Sequence, residues 1–191
     1  VSTVSATVVS YLFFVMDTAF HCTLEPFVLK NIPFYLVLGV ACGFLSLYFT
    51  HTTLKLEDHF AKMRSPMFKW LICSLGVGVL VFLFPPLYGE GYGDITALLN
   101  GIGGEMKGSP LNFLMNSKWG IVVAFAAVMF FKVLSMTLTN AGGGVGGTFG
   151  PTLFVGAIAG FVIARVLNNV LGEAFWLLPE QNFVLVGMAA L

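Results

Sequence analysis

The stretch Asn140-Ala-Gly-Gly-Gly-Val-Gly-Gly-Thr-Phe-Gly-Pro-Thr-Leu-Phe154 is where this chain is best equipped for chemistry. Six glycines fall between positions 142 and 150. Glycine lets the backbone turn freely and lets other groups come close to it. Pro151 suits the first turn of a helix, where a missing N–H costs nothing. The stretch therefore reads as an irregular loop, rich in N–H donors, that leads into a helix. Apolar runs flank it at Trp119–Leu138 and Pro151–Leu167, each near the ~20 residues that cross a bilayer. Lipid satisfies no N–H group at that depth, so such a loop is tolerated only where protein or a water-filled cavity covers it. A helix start carries positive partial charge and unpaired N–H groups, which together favour an anion. The expectation is a buried anion site built from main chain.

The elements that must hold such a site follow from composition. Of 191 residues, 58% are hydrophobic and 9% charged, with a mean hydropathy of +0.93. Soluble domains carry about 25% charged residues, so the chain is expected to be an integral membrane protein, all-α and polytopic. Its net charge of zero argues against nucleic acid as a partner. Cys22, Cys42 and Cys73 lie far apart, without zinc or redox spacing. The chain opens at Val1 without methionine and is apolar almost at once, with no basic stretch or cleavage site of a secretory signal. It stops inside an apolar run, so it is expected to be an internal piece of a longer membrane protein.

Expected helices are Val1–Met16, Pro33–Thr50, Phe68–Phe84, a short one at Ile95–Asn100, Trp119–Leu138, Pro151–Leu167 and Asn182–Leu191. Asp94 is placed to cap the short helix. Residues 51–69 read as a charged amphipathic connection, and 101–118 as a polar loop. Gly39 and Gly43, and again Gly156 and Gly160, are four apart, as in faces where helices pack closely. Helices of unequal length with interrupted hydrophobicity are the pattern of broken-helix transporters.

Two soluble readings of the glycines fail on context. Gly142, Gly144 and Gly147 spell G-x-G-x-x-G, but an apolar run of ~20 residues precedes them instead of a short strand. The acidic residue that a dinucleotide ribose needs about twenty positions later is absent. A P-loop needs Lys-Ser/Thr after the glycines, and none follows.

Gly147-Thr148-Phe149-Gly150-Pro151 resembles the G-x-F-x-P signature of the CLC family of chloride channels and proton-coupled chloride exchangers. Lys132 to Gly147, Pro151 to Gly160, Phe183 to Ala190 and the loop 85–94 resemble the same family. The resemblance implies a homodimer with a separate anion pathway in each subunit, formed by broken helices meeting near mid-bilayer. It implies that the N–H groups of Thr148 and Phe149 donate to a central chloride. Gly146 and Gly147 would allow its approach, with Gly150 in the same turn, and Pro151 would begin the helix whose dipole points there. The family's G-S-G-I-P and G-R-E-G-P stretches and its later tyrosine-bearing helix are absent from this chain. It would supply part of the pathway wall.

Lys132, a charge inside a membrane segment, has two readings. It raises the positive potential of the pathway, or it snorkels or pairs with a carboxylate. Asp17 stands near where exchangers of this family carry an inner proton-passing glutamate, with Glu25 a lesser candidate; the alternative is a solvated helix-end carboxylate. His21, His51 and His59 read as surface residues. The basic residues of 51–69 favour a cytoplasmic placement, whereas the resemblance puts that connection outside. The expected function is selective chloride transport, with or without proton coupling, in a lipid bilayer such as a bacterial inner membrane. No enzyme activity, cofactor or metal is expected. The competing reading is a non-transporting scaffold in which the glycine loop only packs helices.

Overall fold

The computed structural model describes residues 26, 28–89, 91–100, 116–171 and 178–191. The expected helix Val1–Met16, the candidates Asp17 and Glu25, and most of the 101–118 loop lie outside the described residues. Among those described there are six α-helices and no strand. They are α1 (Ile32–Ala61), α2 (Pro66–Leu83), α3 (Tyr92–Leu99), α4 (Lys118–Ala141), α5 (Phe149–Leu171) and α6 (Glu180–Ala190). Four of them, α1, α2, α4 and α5, are long and apolar enough to cross a membrane.

α1 continues well past Thr50, through residues expected to form a connection. Positions 51–61 contain no glycine or proline, and Leu54, Lys55, Leu56 and Glu57 are good helix formers. The 30-residue helix is therefore about 45 Å long. Its charged last turns stay exposed at Lys55, Glu57, Asp58 and His59. Ser65 then starts α2: its hydroxyl accepts a hydrogen bond from the Phe68 N–H at 3.4 Å, and Pro66 takes the first helical position. Pro85-Pro86 prevents α2 from continuing, and residues 85–87 form a single 3-10 turn.

α4 and α5 form the centre, with α6 packed against α5 and α1 laid across both. Among the described helices, α5 and α6 approach until their main chains touch, and glycine makes this possible. A Cβ at Gly156 would strike the main chain of Gly187, and one at Gly160 would strike the carbonyl of Phe183. In the last turn of α5, the Asn168 side chain accepts from the Leu178 N–H at 2.9 Å and donates to its carbonyl at 3.1 Å. Arg165 and Glu180 add an ion pair at 2.8 Å across the same hairpin. Gly39 and Gly43 behave differently from their spacing. Among the described residues both are exposed, and a Cβ at either would meet nothing within 4 Å.

α3 begins two residues before Asp94. Gly91, at φ +82°, precedes its first turn, and the Asp94 side chain makes no capping bond there. The left-handed turn at Gly91 already sets the direction of the chain, so Asp94 falls inside the first turn. Its carboxyl is partly buried, which raises its pKa, while the nearby Lys132 ammonium opposes the rise.

A candidate anion site at the break between two membrane helices

α4 ends by its own hydrogen bonding. The Gly143 N–H donates to the Asn140 carbonyl at 3.1 Å and the Gly144 N–H to the Thr139 carbonyl at 2.9 Å. With Gly143 at φ +100°, this is a Schellman stop, which a side chain bearing Cβ adopts only under strain. Gly142 and Gly144 are also packed tightly, against the Cβ of Cys73 and the Thr139 carbonyl respectively.

Beyond Gly144 the chain crosses Val145–Thr148 without regular structure, and α5 starts at Phe149. The first main-chain bond of the new helix runs from the Thr152 N–H to the Thr148 carbonyl, 3.0 Å. Pro151 therefore occupies the third helical position, two residues after the start expected for it. It remains in the first turn, where its missing N–H has no partner to lose. Among the described residues, no hydrogen bond is donated by the N–H groups of Thr148, Phe149 or Gly150. They are the orphan donors of a helix start.

A cavity of about 480 Å³ opens beside this start. Gly146, Gly147, Phe149, Gly150 and Pro151 line it together with Lys132 of α4. Thr148 is exposed and adjoins the cavity without lining it. A Cβ at Gly147 would meet nothing within 4 Å, so the approach to this backbone is open. The structure thus gathers every sequence-predicted site residue among those described except Thr148 around one space.

Lys132 lies in the middle part of α4 and is 2% exposed. Its Nζ donates to the carbonyls of Leu87, at 3.2 Å, and Gly89, at 2.7 Å, and stands 4.5 Å from the centre of the Phe154 ring. A buried ammonium is tolerated only when it is paired or hydrogen-bonded, and two carbonyl dipoles with an aromatic face provide that here. Snorkelling does not describe it, since the ammonium is buried against Leu87, Gly89 and Phe154.

Several polar lining residues went unnoticed in the sequence. Ser135 and Thr139 follow Lys132 by three and seven positions, on one face of α4, and both line the cavity with Asn140. That spacing was a readable signal. Tyr88 and Tyr92 enter from the loop and helix before α4, and nothing local in their sequence marks them.

A sequence profile for the family described as voltage gated chloride channel matches residues 1–191. The chain belongs to this family. Similar proteins include the chloride channel protein CLC-f of Arabidopsis thaliana, 26% identical over 99% of this chain and 24% of that protein. The voltage-gated ClC-type chloride channel ClcB of Citrobacter koseri is 26% identical over 82% of this chain and 31% of its own length. A putative chloride channel protein, ClcB-like, of Ralstonia nicotianae is 28% identical over 82% of this chain and 32% of its own length. The CLC-family chain thus spans about a quarter to a third of these curated relatives. No solved structure matches it. Membership and four bilayer-length helices make it an integral membrane protein.

Proposed function

We propose that this chain supplies one wall of a chloride pathway, in which the anion is held by main-chain N–H groups at the start of α5. The observation that carries this reading is the set of undonated N–H groups at residues 148–150 beside a cavity that Lys132 also lines. Each N–H bond to an anion is charge-assisted and contributes about 1.5–3 kcal/mol. Dipolar donors hold the ion while leaving it able to depart, as conduction requires. The names of the relatives, chloride channel proteins from plants and bacteria, agree with chloride as the substrate.

The functional unit is the full-length protein, a homodimer in a lipid bilayer such as the bacterial inner membrane; the plant relatives widen that range. It carries out transport and no enzyme reaction, with no cofactor. Whether flux is channel-like or exchanged for protons is read by Asp17→Asn, which uncouples proton movement and spares anion flux if Asp17 relays protons. The central test is chloride efflux from liposomes holding the full-length protein. Gly147→Val and Phe149→Pro abolish efflux if the loop binds the ion. Unchanged efflux would assign the glycine loop to helix packing alone.

A further inference from the structure

Lys132 spends its hydrogen bonds in an unexpected place. Its Nζ reaches the carbonyls of Leu87 and Gly89, the two residues on either side of Tyr88. The loop around Tyr88 is shaped by left-handed glycines, Gly89 at φ +64° and Gly91 at φ +82°. A Cβ at Gly91 would run into the ring of Phe154, and that ring faces the Lys132 ammonium from α5. Lys132, Phe154 and the 87–91 loop therefore lock α4, α5 and the entry to α3 together.

Tyr88 itself is 78% exposed, so packing does not hold its side chain. It lines the cavity beside the α5 start, and it also lines a second cavity of about 430 Å³ against Trp70, Cys73 and Gly144. Val77, Val81 and Thr139 border both spaces as well. Tyr88 thus borders both cavities, and the main chain on either side of it accepts hydrogen bonds from the Lys132 ammonium.

We propose that Lys132 is a positioning residue that holds Tyr88 as the partition between these cavities, and that Tyr88 discriminates small anions from large ones. This rests on the anion-pathway reading. Two carbonyls and a ring already occupy the lysine, so removing it displaces the loop as well as deleting a charge. The distinction is testable because Gly89→Ala disturbs the same tether and keeps the charge. Alanine at φ +64° is strained whatever space surrounds it.

The experiment uses the full-length protein with Cys22, Cys42 and Cys73 replaced by alanine and a reporter cysteine at Tyr88→Cys. The reaction rate of that cysteine with an anionic methanethiosulfonate is compared across variants. Lys132→Met and Gly89→Ala each raise or lower the rate roughly tenfold, the change expected on losing one charge-assisted hydrogen bond. Lys132→Arg, which still donates to both carbonyls, stays within about twofold of the parent. Without the reporter cysteine, Lys132→Met, Gly89→Ala and Tyr88→Ala each raise thiocyanate flux relative to chloride. If Gly89→Ala leaves both readouts at parental values while Lys132→Met lowers flux for all anions alike, Lys132 acts through charge alone and the proposal is overturned. Should Lys132→Met not fold, Gly89→Ala and Tyr88→Ala decide the matter. Gly147→Val with undiminished chloride flux would remove the pathway reading instead, and the cysteine rate, which needs no flux, would still test the tether.

Discussion

Two groups of glycines in this protein do opposite things. At the seam between α5 and α6, the space a side chain would take is filled by main chain. A Cβ at Gly187 would lie 3.1 Å from the Gly160 Cα and closer still to the Gly156 carbonyl. At the break between α4 and α5, Gly147 looks into open space. The loop even divides within itself, since Gly142 and Gly144 are packed while Gly147 is not. Glycine content shows that backbone must be bare at a position. Only the neighbours show whether another helix or a ligand uses the bareness.

Exchanging side chains into the two groups separates their roles. Gly160→Leu forces a branched side chain onto the Phe183 carbonyl and Val184 Cα. Overpacking of a built interior costs about 1–3 kcal/mol and more when main chain is the obstacle. The expected outcome is loss of monodisperse protein on size-exclusion chromatography in detergent. Gly147→Val has room and no positive φ to relieve, so its melting temperature stays near the parent while chloride efflux is lost. Equal damage to fold at both sites would erase the contrast.

Phe149→Pro sharpens the comparison further. Proline is tolerated in the first turn of a helix, so α5 still forms, but one undonated N–H disappears. Losing one charge-assisted bond of about 1.5–3 kcal/mol weakens chloride binding roughly 10- to 100-fold, measured by calorimetry on the full-length protein. The smallest effect is expected at Asp94. Burial raises its folded-state pKa above the usual carboxylate value, so the native state takes up a proton before the unfolded state does. Its stabilising contribution is full below the unfolded pKa of about 3.8 and is lost as pH rises through the raised folded value. Melting temperatures of Asp94→Asn across a pH series should be flatter over that window than those of the parent.

Much of this arrangement is legible in the chain. Apolar runs mark the membrane helices, the glycines mark the break, and the flanking motif points to the family. The limits of the helices are less legible, for identifiable reasons. Charged residues such as Lys55 and Glu57 look like a connection by hydropathy, yet they are good helix formers and α1 runs through them. Pro151 announces a helix start, but proline fits anywhere in the first turn, so the true start is Phe149. The spacing of Gly39 and Gly43 matches that of Gly156 and Gly160, and spacing alone does not say whether a partner is present. The loop around Tyr88 is tied to Lys132, 43 and 45 positions away from the carbonyls it holds, and no local pattern encodes such a contact.

The Schellman stop at the end of α4 also bears on the energetics of capture. Because the carbonyls of Thr139 and Asn140 are satisfied by Gly143 and Gly144, nothing from the outgoing helix competes for the donors of the incoming one. The two rods are already parted, so an anion bound there as proposed would spend none of its binding free energy prying them open. Such preorganisation would suit a site that fills and empties with little rearrangement, with rapid turnover of its guest.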